Sequence, residues 1–233
     1  MVNAWSLAYE ALYGDMDKTY PIIKMKLRPK TMKISDKTLT LLKNFSNINQ
    51  SILFKEGSSL RTISVMKNIL AEAKITEEIP KDFGIYDLSQ FLNVNTTLFQ
   101  SPELDFANDG YVVIREGRSK QRFFFADPNV IITPPEKAIT LPSEDVSFEL
   151  STEQLDRLLK AAAISQLPDL SVVGGEGVVK ILVRDKKNDT SNDYSVVVGE
   201  TDKDFSFNFK VENIKILPGT YDVVVSQKLL SRF

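Results

Sequence analysis

Leu41, Leu42, Phe45 and Ile48 recur at helical spacing, while Thr40, Lys43, Asn44 and Asn47 fall on the opposite side of the same turn. This pattern predicts an amphipathic helix whose polar face carries no acid. Ser35 or Asp36 stands ready to accept from the free amides of its first turn. Residues 51–57 then shift to strand composition and close on Glu56-Gly57.

A second copy of this unit begins at Leu150. Ser151 with Gln154 spells a capping box. Leu155, Leu158, Leu159 and Ala162 form the apolar stripe, with Arg157, Lys160 and Ala161 pointing elsewhere. Both helices contain Leu-Leu-Lys, at 41–43 and 158–160, and both run into strand composition ending in Glu-Gly, at 56–57 and 176–177. The duplication predicts two related domains.

Between and after these helices the pattern is strand-like, at 61–66, 70–75, 83–86, 103–107, 111–116 and 121–126. Asp87 caps a short helical run over 88–92. Asn108-Asp109-Gly110 and 117–120 supply turns. In the second half, strands are expected at 146–150, 170–173, 178–184, 194–198, 205–209 and 221–226, with a degenerate helix over 211–217. Residues 127–145 break the periodicity with Pro128, Pro134, Pro135 and Pro142 and read as an extended connector lying along a sheet.

Residues 2–13 have a weak helical stripe (Trp5, Leu7, Ala8, Leu12), followed by a basic run of Lys24, Lys26, Arg28 and Lys30. Two readings stand: an arm that contacts DNA or a partner, or residues added by an upstream start to a protein proper beginning at Met32.

Composition narrows the chemistry. The 233 residues include no cysteine and no histidine. Disulfides, thiolate nucleophiles, the commonest general base and the commonest metal ligand are therefore excluded. No catalytic residue, metal site or cofactor is expected. The net charge of −2 rules out a uniformly basic nucleic-acid binder but allows cations gathered on one surface. No apolar run reaches the roughly 18 residues of a membrane helix.

Other motifs have plain explanations. Gly174-Gly175-Glu176-Gly177 lacks the Gly-Lys-Ser/Thr of a phosphate loop and reads as a hairpin turn. Asp185, Asp189 and Asp193, with Asp202 and Asp204, match no EF-hand spacing and read as solvated loops. Phe123, Phe124 and Phe125 beside Arg122 suggest base stacking, but strand alternation sends at least one of them into a core.

Four stretches together carry a family resemblance: LLKNFSNINQSILFKEG at 41–57, IYDLSQFL at 85–92, ADP at 126–128 and LPGTYDVVV at 217–225. In this order and spacing the chain resembles the sliding clamps of T-even-type phages, the ring-shaped DNA polymerase processivity factors, from about residue 32 to the end. The resemblance implies an α+β fold of two clamp domains, with antiparallel sheets outside and helices lining the inner face. The domains fall at 32–127 and 146–233, joined by a linker at 128–145, with residues 1–31 an extension. It also implies about two strands beyond Phe233, so the second domain reads as truncated. Lys43, Arg157 and Lys160 would face double-stranded DNA, with Lys37 close to that face. Ile131, Ile132 and Leu141 would be linker-side residues of a pocket for partner peptides. The implied partners are double-stranded DNA, a DNA polymerase, an ATP-dependent clamp loader and two further copies of the chain in a homotrimer. A role in late transcription and a location in the infected host's cytoplasm belong to the same expectation. The rival readings are a non-DNA homo-oligomeric structural or assembly protein and, with no motif in its favour, a carboxylate-dependent nuclease.

Overall fold

The computed structural model describes residues 31–233; the expected helix at 2–13 and the basic run at 24–30 lie outside them. The described residues build two hydrophobic cores, one for each half of the chain.

In the first half, β1 (Thr31–Met32) pairs with β6 (Glu103–Asp105), followed by β7 (Tyr111–Glu116) and β8 (Ser119–Phe124), to give the antiparallel order β1-β6-β7-β8. Two antiparallel pairs complete it: β2 (Ile52–Phe54) with β5 (Phe83–Ile85), and β3 (Gly57–Ile63) with β4 (Leu70–Ile79). Helix α1 (Asp36–Ile48) packs beside α2 (Leu88–Asn93). Thr38, Leu42, Phe45 and Ile48 are buried on α1, while Leu39 rather than the expected Leu41 packs against the core. Ser35 is the N-cap, accepting from the Thr38 amide at 3.3 Å. The cap is reinforced from β4, where Glu77 accepts from the Ser35 amide at 2.6 Å and the Thr38 hydroxyl at 2.8 Å.

Three first-half expectations shift. The strand expected at 61–66 begins earlier, at Gly57, and stops at Ile63. The Ser64 hydroxyl accepts from the Asn68 and Ile69 amides, closing a turn that leaves Val65 and Met66 exposed. Helix α2 passes into a π-helical turn, Val94–Leu98. There the Asn95 side-chain amide donates to the Phe91 carbonyl and the Thr96 hydroxyl to the Leu92 carbonyl, tying the wider turn back to α2. The connector 127–145 starts with a 3-10 turn, Pro128–Val130, capped by Asp127.

In the second half, β9 (Val146–Leu150) leads into α3 (Thr152–Ser165), whose capping box of Ser151 and Gln154 forms as expected. Leu155, Leu158 and Ala162 are buried and Leu159 packs on the same core. β10 (Asp169–Gly175), β11 (Val178–Arg184), β12 (Tyr194–Glu200) and β13 (Phe205–Lys210) form the antiparallel sheet β12-β11-β10-β13. β14 (Tyr221–Ser226) lies between β15 (Leu230–Arg232) and β9. The β10–β11 hairpin turns through Glu176 (φ +55°) and Gly177 (φ +83°), the paired positive φ of a two-residue turn. Residues 211–217 do not form the expected helix. Only Val211–Asn213 is a 3-10 turn, and Ile214 and Ile216 pack at a period of two. Asp169 is buried, and its carboxylate accepts from Lys210 Nζ at 2.5 Å and the Lys186 amide at 3.1 Å, tying β10 to β13 and to the loop after β11. Lys210, ahead of the Lys186 amide, holds its pKa below the usual carboxylate value.

Candidate nucleic-acid interface

Each amphipathic helix presents the polar stripe that its sequence predicts. On α1, Thr40, Lys43 and Asn47 are exposed, diametrically opposite the buried Leu42 and Phe45. On α3, Glu153, Arg157, Lys160 and Ile164 form the corresponding exposed stripe opposite Leu155, Leu158 and Ala162. Lys37 is exposed, but at 100° per residue it sits about a quarter turn off the α1 stripe. Lys215, from the second half, donates to the Asn47 carbonyl in the last turn of α1, a favourable position for a cation.

The cations of α3 are partnered, which the sequence reading did not anticipate. Arg157 pairs with Glu153 at 2.5 Å and Lys160 with Asp156 at 2.7 Å, each acid one turn upstream of its base. The i,i+4 spacing was the signal available. Exposed pairs of this kind are worth only about 0.3–0.5 kcal/mol, so their effect on surface charge outweighs their effect on stability.

The three linker candidates separate. Ile131 is 6% exposed, and its side chain lies over Gly84. A methyl at Gly84 would fall 2.6 Å from Ile131 Cδ1 and 2.8 Å from the Ala126 carbonyl oxygen, so only glycine lets the connector lie this close. Ile131 thus anchors the connector, and burial of its apolar side chain stabilises the start of the linker. Ile132 is 37% exposed, Val130 and Ile139 are exposed, and Leu141 is half-buried.

Among the strands that end a sheet in the described residues are β8 in the first half and β12 in the second. On β8, Phe124 is exposed, and Arg122 lies 6.0 Å over its ring and 5.7 Å over that of Tyr111. Phe123 and Phe125 face the first core, so two of the three phenylalanines serve packing. A cleft of about 360 Å³ adjoins this edge, lined by Leu98, Phe99, Glu116, Ser119, Lys120 and Gln121. β12 carries the exposed Val197, ends at Glu200 and is preceded by Asp193.

Two sheet-backed halves, each laying an amphipathic helix over its own core, define the fold of processivity clamps. Proliferating cellular nuclear antigen from Entamoeba histolytica superposes with a TM-score of 0.61 at 13% identity, covering 84% of this chain and 89% of that one. The DNA polymerase III subunit beta clamp from Bartonella birtlesii gives a TM-score of 0.60 at 12% identity, covering 87% of this chain and 61% of that one. In sequence, residues 33–133 match the family described as DNA polymerase processivity factor, and residues 147–233 match that described as gp45 sliding clamp, C terminal. The sliding clamp of Vibrio phage KVP40 is 32% identical over 209 residues, 87% of this chain and 94% of its own length. That of Escherichia phage RB69 is 33% identical over 199 residues, 83% and 87% respectively. The chain belongs to the phage sliding-clamp family, the DNA polymerase processivity factors. Its role is to make DNA synthesis processive, and the family does so as a tether, without catalysing a reaction.

Among the described residues no helix is long and apolar enough to cross a membrane.

Proposed function

We propose that this chain is one subunit of a closed homotrimeric ring that encircles double-stranded DNA, with the exposed stripes of α1 and α3 turned toward the duplex. The observation that carries this reading is the duplicated placement of Lys43 and Arg157/Lys160, each opposite a buried stripe on an equivalent helix. Cations that reach only phosphates hold DNA without reading its sequence, which is what a sliding tether requires. The ring would hold a DNA polymerase at the template and would be opened by an ATP-dependent clamp loader. Partner peptides would settle on the exposed linker residues Val130, Ile132 and Ile139 with Leu141. The setting would be the cytoplasm of an infected host cell, and a second use of the loaded ring would be activation of late transcription.

The joints of the ring are the edge strands β8 and β12. β8 offers Lys120 and Arg122, β12 is bordered by Asp193 and Glu200, and each edge exposes an apolar side chain, Phe124 or Val197. A basic edge in the first half meeting an acidic edge in the second half of another copy is a head-to-tail contact, the kind that closes rings. Pairing also removes an open strand edge that would otherwise invite adventitious association. Light scattering after size exclusion tests this. A species near three times the 26.3 kDa chain is expected, and Arg122→Glu should shift it toward monomer. A wild-type chain that stays monomeric at high concentration would overturn the ring.

A further inference from the structure

The two stripes differ in how their cations are partnered: on α1 the exposed Asp36 shares the face of Lys43 but stands two turns away, outside pairing reach. No acid stands three or four residues either side of Lys43, where Leu39, Thr40, Ser46 and Asn47 are found. On α3, by contrast, Glu153 and Asp156 each hold a cation, at 2.5 Å and 2.7 Å, so the four side chains sum to zero charge. All four are largely exposed, so the pairs add little to stability. What they do is cancel, on one of the two helices, the charge that would bind phosphate.

We infer that Glu153 and Asp156 tune the grip on DNA: they compete with phosphates for Arg157 and Lys160 and keep each contact weak enough to be passed along the duplex. This rests on the reading that α3 faces DNA. A guanidinium or ammonium that always has a carboxylate one turn away gives up a phosphate at little cost, because the departing partner is replaced at once. It also releases fewer counterions on binding, since the carboxylate has already neutralised it, so its share of the salt dependence is reduced. A ring with bare cations on both helices would hold more tightly and move less freely. In this account α1 supplies the standing attraction through Lys43, and α3 supplies contacts that exchange.

The test is equilibrium binding of the assembled wild-type protein and the Glu153→Gln/Asp156→Asn variant to a fluorescent linear duplex, by anisotropy across a salt series. The variant is expected to bind severalfold more tightly at low salt. Its plot of log affinity against log salt should steepen by up to about 0.9 per freed cation. A thermal melt reports separately on any weakening of the helix from the loss of Glu153 in its first turn, apart from the change in surface charge. Arg157→Gln/Lys160→Gln is the companion. If it weakens binding while Glu153→Gln/Asp156→Asn changes neither affinity nor slope, the acids do not tune the grip and the inference is overturned, although α3 still faces DNA. If neither variant changes binding, the DNA-facing placement of α3 fails as well, and the inference with it.

Discussion

Reversing Lys43, Arg157 and Lys160 together to glutamate is expected to abolish retention on duplex DNA while leaving the fold intact. The three side chains are exposed and opposite the buried stripes of α1 and α3, and surface changes of this kind usually move stability by less than about 0.5 kcal/mol. An unpaired cation that neutralises a phosphate contributes about 0.9 to the salt slope, and the paired Arg157 and Lys160 contribute less. Three lost contacts per subunit, replaced by three repulsive ones on a chain that is already net negative, should lower affinity at least about tenfold at low salt. Anisotropy with a short duplex reads the affinity, and a melting curve confirms the fold. Unchanged binding by the folded triple variant would favour an assembly protein with no DNA in its bore.

The second large effect concerns Glu77. Partial burial pushes its carboxyl upward, but hydrogen bonds from the Ser35 amide and the Ser35 and Thr38 hydroxyls outweigh this and hold it at about 2. The folded value lies below the ordinary 4.5, so the carboxylate stabilises the protein fully above pH ~5 and loses that contribution as pH falls toward ~2. It caps α1 from a strand 39 residues away in sequence from Thr38, linking that helix to β4. Glu77→Ala strands two capping donors and is expected to cost about 1–3 kcal/mol at neutral pH. Urea unfolding at pH 7 and pH 3 measures both features, and the gap between the wild type and the variant should narrow at pH 3 without closing, because the folded carboxyl is still ionised there. A constant difference between them at both pH values would show that the charge of Glu77 is not what holds the helix.

What could be read from the sequence was mostly local. The caps at Ser35, Asp87 and Ser151 involve residues three positions apart, and the Glu176-Gly177 turn is written in adjacent residues. The duplicated helix-and-strand unit predicted two related domains, and the family resemblance set their bounds. What escaped depends on distant partners. Thr38 looks like a surface threonine until β4 brings Glu77 to it. Ile131 reads as one of several apolar linker residues until Gly84 makes room for it. The π-helical turn after α2 is held by Asn95 and Thr96 bonding back to carbonyls, and Asn and Thr at those positions would equally suit a loop. The Glu153–Arg157 and Asp156–Lys160 pairs were legible from their spacing. They escape any reading that counts cations without the acids one turn upstream. Residues 211–217 misled because apolar positions 211, 214 and 217 mimic a helical period, while packing on the core uses Ile214 and Ile216.

The central claim is topological: the protein holds DNA by surrounding it. The most direct measurement loads the protein onto nicked circular duplex with the clamp loader of its own replication system and ATP, removes free protein by gel filtration in moderate salt, and then linearises the circle. Protein that co-elutes with the circle and is released on cutting is the predicted result, since a ring slides off an open end. Protein retained equally on circular and linear DNA would contradict the account, because contacts that survive an open end are adhesive and not encircling.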